Sequence, residues 1–375
     1  MPGLLPEVDP NGLLEYSVVY TDRALNHMSQ AFQVVMTDTA DRLNNCYGAA
    51  ASALIPGSGT FAMEAVARQF ATSKSCLIIR NGFFSYRWSQ ILEAGSIPAN
   101  TTILKARRKV AGIQEPFSPP PIDEALTTIR REKPDIVFAP HVETASGIML
   151  PDEYIKELAN EAHAQNSLLV LDCIASGAIW TNMSELGIDV LITAPQKGWS
   201  ASPCCGAVMF SPLAIEVMNN TNSTSFACDL RKWRQIMETY EKGGHAYHTT
   251  MPTDGIRTFH SSIKETENFG LAEAKESQMK LGEKVRNLLI EHGFPSVAAS
   301  DFQAPGVVVS YTSNPEIQSG EAFGNLGLQT AAGVPLQCDE GDDYRSFRIG
   351  LFGLEKLRDH ERTITPLRSA LQQLS

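Results

Sequence analysis

Four short stretches of this 375-residue chain carry residue types able to do chemistry. Gly57-Ser58-Gly59-Thr60 opens a stretch that places Phe61, Ala65, Val66 and Phe70 on one helical face. Glycine lets backbone approach a ligand closely, and a helix N-terminus presents free N–H groups, so the pair makes an anion site fit for a phosphate. A plain turn with an N-cap is the other reading. Asp172 follows directly on the apolar run Leu168-Leu169-Val170-Leu171. A carboxylate at the end of a buried strand is costly unless a positive group faces it; the alternative is a cap on a following helix. Lys197, in Thr193-Ala194-Pro195-Gln196-Lys197-Gly198, comes just after the apolar run around Leu191. A partly buried lysine gives up its proton readily, as an imine-forming amine must. A lysine snorkelling from a strand end is the alternative. Arg348, in Phe347-Arg348-Ile349-Gly350-Leu351-Phe352-Gly353, sits in an apolar, glycine-bounded run. It suits a bidentate clamp on a carboxylate, or an internal ion pair with Asp342 or Asp343.

Order and spacing say more than any one of these. A phosphate cup, an aspartate at one strand end, a lysine 25 residues on near another strand end, and a late arginine fit a pyridoxal phosphate enzyme. There the lysine holds the cofactor as a Schiff base and the aspartate pairs with the pyridinium nitrogen.

The elements that must position these residues can be read from the apolar runs. Cys76–Ile79, Ile136–Ala139, Leu168–Leu171, Val190–Ile192 and Ala207–Phe210 read as strands, with a helix over about Pro151–Gln165. Continuous apolar strands alternating with helices predict an α/β layer around a mostly parallel sheet, whose ligand sits at the strands' carboxyl ends. Pro116–Pro121 reads as a surface loop leading into a helix near Asp123–Arg131, or else as a polyproline ligand. A long polar helix is expected over about Ile263–His292, with the domain boundary inside it. That gives an N-terminal segment at residues 1–20 beside the substrate pocket, a large domain at 21–265 and a small C-terminal α+β domain at 266–375.

Composition narrows the function classes. Hydrophobic residues are 43% and charged residues 19%, enough apolar material for a sizeable core. A net charge of −11 without a basic stripe argues against nucleic acid and anionic membranes as partners. No apolar run reaches the roughly 18 residues of a membrane span. The first twenty residues carry Glu7, Asp9 and Glu15 but no Lys or Arg, unlike a signal or transit peptide. Seven cysteines without a CxxC pair predict free thiols in a reducing, cytoplasmic setting. His245 and His248 could suggest a metal pair, but two ligands make no site, so no metal is expected.

Several segments together resemble the class V aminotransferases of pyridoxal phosphate fold type I, within them the alanine–glyoxylate (serine–pyruvate) branch. The resemblance runs from about Asn45 to the end. It implies a mostly parallel seven-stranded sheet flanked by helices, a smaller C-terminal domain, and pyridoxal 5'-phosphate as cofactor. Gly57-Ser58-Gly59-Thr60 looks like the family's phosphate segment, with Ser58, Gly59 and Thr60 as ligands. Asn81-Gly82-Phe83-Phe84-Ser85-Tyr86-Arg87 matches the segment whose aromatic ring stacks on the pyridine, here Phe84. His141-Val142-Glu143-Thr144-Ala145-Ser146-Gly147 implies that Thr144 touches the cofactor. Asp172-Cys173-Ile174-Ala175-Ser176 implies Asp172 at the pyridinium nitrogen and Ile174 against the ring. Gln196-Lys197 resembles the pair in which the lysine holds the cofactor and the glutamine lies near the phosphate. Tyr247-His248-Thr249-Thr250 resembles the Tyr-x-x-Thr, here Tyr247 and Thr250, that one subunit of a homodimer lends to the other's phosphate. Arg348 in Arg-Ile-Gly-Leu matches the arginine that clamps the substrate carboxylate.

The chain departs from the family in three places. Tyr16–Thr21 stands where a Gly-Pro-Gly-Pro loop usually borders the substrate, which puts Tyr20 in the pocket wall and alters specificity. Phe84 replaces Trp or Tyr. Pro203-Cys204-Cys205-Gly206 replaces Pro-Pro-Gly. The resemblance implies ping-pong transamination from an amino acid to a 2-oxo acid such as pyruvate or glyoxylate, with Lys197 as general base and acid. An aminophosphonate transaminase keeps nearly the same cofactor residues. A lyase or desulfurase reaction on the same fold is another reading; cysteine desulfurases need a nucleophilic Cys and usually a His before the lysine, whereas here Gln196 stands there and Cys338 lies in the acidic Gln337-Cys338-Asp339-Glu340. A non-catalytic regulator would carry an added basic DNA-binding domain, for which there is no room.

Overall fold

A computed structural model describes residues 5–374. Aliphatic runs that are apolar on both faces are stable as strands only where helices cover both sides of a sheet. Six strands meet that condition, β1 (Ala51–Pro56), β2 (Ser75–Arg80), β4 (Ile136–Pro140), β5 (Leu168–Asp172), β6 (Val190–Thr193) and β7 (Cys205–Phe210), and a seventh, β3 (Asn100–Lys105), is a more polar, partly exposed strand at the sheet edge. Across the sheet they run β1-β7-β6-β5-β4-β2-β3. β6, β5, β4, β2 and β3 pair in parallel, and β7 is antiparallel to both β1 and β6. Six of the seven strands therefore point the same way and bring their carboxyl ends to one rim.

The intervening helices are α1 (Gln30–Tyr47), α2 (Gly59–Phe70), α3 (Phe83–Ala94), α4 (Ile122–Glu132) and α5 (Asp152–Ala164). Ser29 starts α1 by accepting from Phe32 N at 3.1 Å, and Gly48 ends it in the left-handed conformation. One residue with positive φ occurs in every turn that feeds a co-directed strand: Gly48, Ser73, Ser96, Lys133, Asn166 and Gly187. These turns lie on the rim opposite the strands' carboxyl ends. Ile78, Phe138, Val170, Leu191 and Val208 are wholly buried beneath the helices; each such side chain stabilises the fold by about 1.5–3 kcal/mol over its exposed state.

The helix expected over 263–292 is two helices, α6 (Thr253–Phe269) and α7 (Leu271–Glu291), interrupted at Gly270. Ile256, Phe259 and Ile263 of α6 pack into the core of the large sheet. Leu281, Val285 and Leu289 of α7 pack into another core with Phe347, Ile349 and Leu367. The interruption lets two halves of one polar stretch turn their apolar stripes to different cores. Behind α7, β8 (Val307–Tyr311) and β9 (Ser346–Gly350) pair antiparallel, and Ala331–Ala332 pairs along the other edge of β9.

Two further expectations change. Pro116–Pro121 is not a surface loop: Phe117–Pro120 are buried, and Phe117–Ser118 pairs with Arg107–Arg108. Prolines 119 and 120 are thus packed inside and present no polyproline ligand. Phe61 leaves the apolar face of α2 and is 51% exposed, while Ala65, Val66 and Phe70 stay buried. Residues 1–4 of the expected N-terminal segment lie outside the described residues. Further along it, Leu13, Tyr16 and Val18 are exposed.

Candidate active site

The phosphate-like cup begins where β1 gives way to α2. Ser58 takes the N-cap position in extended conformation, yet its hydroxyl caps no N–H of the helix. The first N–H groups of α2 have no intrahelical acceptor and point out of the helix end. Gly59 is needed for space: a Cβ there would lie 2.6 Å from Ile174 Cδ1, so Ile174 is wedged directly against the cup. Thr60 Oγ1 accepts from Arg87 Nη1 at 3.1 Å.

Asp172 ends β5 and is buried. Its Oδ1 accepts from Ile174 N at 3.0 Å, a local turn bond. Turns and not a helix follow it, so it caps no helix. No cation pairs with it among the described residues. Burial pushes its carboxyl up to about 7; the Ile174 N–H and the charge of Arg87 pull the other way, and Glu143 adds to the rise.

Lys197 lies in the loop after β6. Because Ile192 of β6 sits beside Asp172 in the parallel register, aspartate and lysine leave adjacent strand ends. The loop is fixed by close contact: a Cβ on Gly198 would come 2.0 Å from Gly177 O. Lys197 Nζ does not snorkel outward but stands 4.9 Å from the centre of the Phe352 ring. Burial first, then the charge of Arg348, lowers its proton affinity. Beside it, Gln196 Oε1 is buried without a hydrogen-bond partner.

Glu143 organises the third wall. Fully buried, it accepts from Phe84 N at 3.2 Å, from Ser85 N at 2.8 Å, from Ser85 Oγ at 2.7 Å and from Ala145 N at 2.9 Å. A carboxylate at the positive end of a helix is favourable, and this one fixes the start of α3. Three residues apart on that helix, Phe84 and Arg87 share a face. Thr144, next to Glu143, is buried. His141 Nδ1 lies 2.7 Å from Ser176 Oγ, and burial pushes this imidazole down to about 4, so it is neutral at pH 7.

Arg348 on β9 reaches the same place from the other sheet. Its Nε donates to Ala332 O at 2.8 Å, and no carboxylate pairs with it among the described residues. The ion pair with Asp342 or Asp343 does not form. No hydrogen bond from its outer guanidinium nitrogens is seen among the described residues. Two cations approach the Phe84 ring, Arg87 Cζ at 5.1 Å and Arg348 Cζ at 5.5 Å from its centre.

Tyr20, Tyr247 and Thr250 come together elsewhere. Tyr247 Oη and Thr250 Oγ1 are 2.9 Å apart, Tyr20 Oη donates to Met251 O at 3.0 Å, and both tyrosine rings lie 5.6 Å from His27. None of these hydrogen bonds or ring contacts reaches Lys197, Asp172 or Arg348 within the chain. His245 lies beside His27, whereas His248 packs on Phe226 and Trp233. Among the described residues no three His, Cys, Asp or Glu side chains are grouped to hold a metal.

The residues present fit pyridoxal phosphate. The uncapped Ser58 hydroxyl stands at the N-terminus of α2, whose Gly59 packs against Ala194 in the lysine loop, and Gln196 Oε1 in that loop has no hydrogen-bond partner. Ile174 and Phe84 offer flat apolar contacts, and buried Asp172 lacks the cation that a protonated ring nitrogen supplies. Sequence reasoning passed over Glu143, Arg87 and Phe352. All three stood inside quoted segments, where an acid in the Thr144 motif, an arginine three residues after the stacking ring and an aromatic ring four residues after Arg348 were the available signals.

The family model for "Aminotransferase class-V" matches residues 13–312. A 2-aminoethylphosphonate–pyruvate transaminase from Vibrio vulnificus is 27% identical over 331 residues, covering 85% of this chain and 83% of the relative. An alanine–glyoxylate aminotransferase from Oryctolagus cuniculus is 24% identical over 361 residues, covering 93% and 87%. The solved structure of alanine–glyoxylate aminotransferase from Nostoc sp. superposes with a TM-score of 0.76 at 21% identity, covering 92% of this chain and 88% of that one.

Proposed function

Because this chain belongs to the class-V aminotransferase family, we propose that the residues gathered at the strand ends are its transamination site. The protein is a pyridoxal-phosphate-dependent transaminase of fold type I, and it moves an amino group from an amino acid to a 2-oxo acid. The observation that carries our reading of the site is the pairing of a buried, cation-less Asp172 at the end of β5 with a deprotonation-prone Lys197 in the loop after the adjacent parallel strand β6.

In this reading Ser58, Gly59, Thr60 and Gln196 hold the cofactor phosphate. Phe84 and Ile174 would lie against its ring, Thr144 would touch the cofactor and Asp172 would face the ring nitrogen. When bound, the cofactor supplies an electron sink for the bond to the substrate's α-hydrogen. Arg348 takes the substrate carboxylate with its two outer nitrogens and so orients the α-carbon. Lys197 Nζ, whose proton affinity is lowered by burial and by Arg348, takes the α-proton and later returns it. Asp172 becomes ionised once a positive nitrogen faces it and keeps the proton on that nitrogen.

Tyr247 and Thr250 complete the site of a second copy in a homodimer. Their bonds lead away from Lys197 within the chain, and Tyr247 is half exposed, which supports this. Tyr20 then borders the shared pocket. Residues 21–265 form the large domain and 266–375 the small one, with the division close to the interruption at Gly270. Pyruvate or glyoxylate is the acceptor by analogy with the relatives, and the Vibrio vulnificus relative makes aminoethylphosphonate a donor to try. All seven cysteines are free thiols, which supports a cytoplasmic location. No helix among the described residues is long and apolar enough to cross a membrane.

The test is optical. Protein purified with pyridoxal phosphate is expected to be yellow, and one of alanine, serine, aspartate, glutamate, β-alanine, taurine or aminoethylphosphonate should bleach it, with colour restored by an oxo acid. Colour that survives Lys197→Ala unchanged would sink the assignment of that lysine. A yellow protein that no donor bleaches would move the reading to a lyase.

A further inference from the structure

The residues assigned to the phosphate in the preceding reading are all neutral: Ser58, Gly59, Thr60, Gln196, and Tyr247 and Thr250 from a second copy. Pyridoxal phosphate brings a dianion. A helix N-terminus supplies only about half a positive charge, so a dianion there is left poorly compensated. The missing cation is at hand. Arg87 stands one turn into α3, on the face it shares with Phe84, and its Nη1 donates to Thr60 Oγ1 at 3.1 Å in the first turn of α2.

The charge environment of this arginine points the same way. A guanidinium at the positive end of a helix is the wrong sign for the helix dipole. No carboxylate pairs with Arg87 among the described residues. Glu64, the acid nearest along α2, is turned to Arg68, at 2.7 Å from its Nε. Asp172 acts on Arg87 without forming an ion pair with it. A half-buried cation at a helix N-terminus that pairs with no carboxylate is favoured when an anion comes to it. The Phe84 ring, 5.1 Å from Cζ, keeps the guanidinium plane from swinging away from the cup.

We propose that Arg87 is a ligand of the cofactor phosphate, supplying from α3 the positive charge that the cup on α2 lacks. The inference rests on the transaminase reading of this site. It predicts that Arg87 distinguishes phosphorylated from unphosphorylated pyridoxal, which a merely structural arginine would not.

The experiment strips the wild-type protein of cofactor and titrates it separately with pyridoxal phosphate and with pyridoxal, following absorbance and tryptophan fluorescence. Arg87→Met is treated identically, and Arg87→Lys serves as a second variant that keeps the charge if the first does not fold. For Arg87→Met we expect the dissociation constant for pyridoxal phosphate to rise roughly 10- to 100-fold, the range of a lost charge-assisted hydrogen bond, with that for pyridoxal unchanged. Arg87→Lys should keep most of the discrimination, and inorganic phosphate should compete with pyridoxal phosphate less well against Arg87→Met than against wild type. An equal loss for both ligands, or no loss, overturns the inference while leaving the transaminase reading standing. A wild-type protein that binds neither ligand overturns both.

Discussion

The backbone N–H of Leu354 donates to Ser200 Oγ at 2.9 Å, which ties the loop of Lys197 to the segment just beyond Arg348. Between these two anchors lies Phe352, whose ring faces Lys197 Nζ. The base and the carboxylate clamp are therefore positioned by one connected piece of structure, although 151 residues of chain separate them (348 − 197).

Removing that tie should loosen the loop before it harms the fold. Ser200 holds a left-handed φ of 56°, which an alanine tolerates no better. Ser200→Ala is expected to cost about 1 kcal/mol, the net value of one hydrogen bond, in urea unfolding. It should lower kcat more than it raises KM for the donor.

Gly198→Ala tests the loop from its other side. The added methyl would meet Gly177 O at 2.0 Å, so the lysine loop must shift. A displacement of about 1 Å at a reacting group costs on the order of 100-fold in rate. Steady-state kcat should fall to that extent, while circular dichroism stays that of the wild type.

Glu143→Gln addresses the start of α3. The carboxylate accepts four hydrogen bonds at full burial, and an amide's NH2 end cannot accept any of them. Hydrogen bonds to a charged group contribute about 1.5–3 kcal/mol each when broken singly. We expect a loss of roughly 3 kcal/mol by urea unfolding, and weaker cofactor binding because Phe84 and Arg87 lose their fixed orientation.

The cofactor-free protein should also carry the signature of Asp172 in its pH dependence. Its carboxyl titrates near 7 when folded and near 3.8 when unfolded. The folded state thus holds the extra proton between those values, and this group's contribution makes stability fall as pH rises from about 4 to about 7. His141 has the opposite slope. Its folded value is about 4 against 6.5, so its contribution falls as pH drops through that window. Asp172→Asn isolates the first effect: urea unfolding of cofactor-free protein should show the variant more stable than wild type at pH 8 by on the order of 4 kcal/mol. The gap should vanish near pH 4, and equal stability at both pH values would count against the buried, unpaired carboxylate.

Much of the fold was legible because its central strands are uniform. β2, β4, β5 and β6 are short aliphatic runs buried on both faces, and they read as strands without ambiguity. β1 and β3 did not. Ala51-Ser52-Ala53-Leu54-Ile55-Pro56 is small and short, and Asn100-Thr101-Thr102 opens an edge strand exposed where it starts. Proline-rich Pro116–Pro121 misled because composition reports solvation only on average: Pro119 and Pro120 are buried, and Pro120 O accepts from Tyr154 Oη of α5 at 2.8 Å. The long helix over 263–292 kept a helical pattern across Gly270, and nothing local announced that its two halves serve different cores. At the site, Asp172, Lys197 and Arg348 were found by chemical type and by position beside apolar runs. Arg87 and Glu143 were overlooked because their partners, Thr60 and Ser85, are distant in sequence from one or both of them and meet only in the folded sheet.

The turns with positive φ at Gly48, Ser73, Ser96, Lys133, Asn166 and Gly187 lie on the rim that carries no candidate site residue. Chemistry and chain reversal are thereby assigned to opposite ends of the sheet. That separation gives the molecule a working end and a handling end. A fluorophore or an immobilisation tether spliced beside Ser73 or Asn166 would report on or anchor the enzyme while leaving its reacting groups undisturbed.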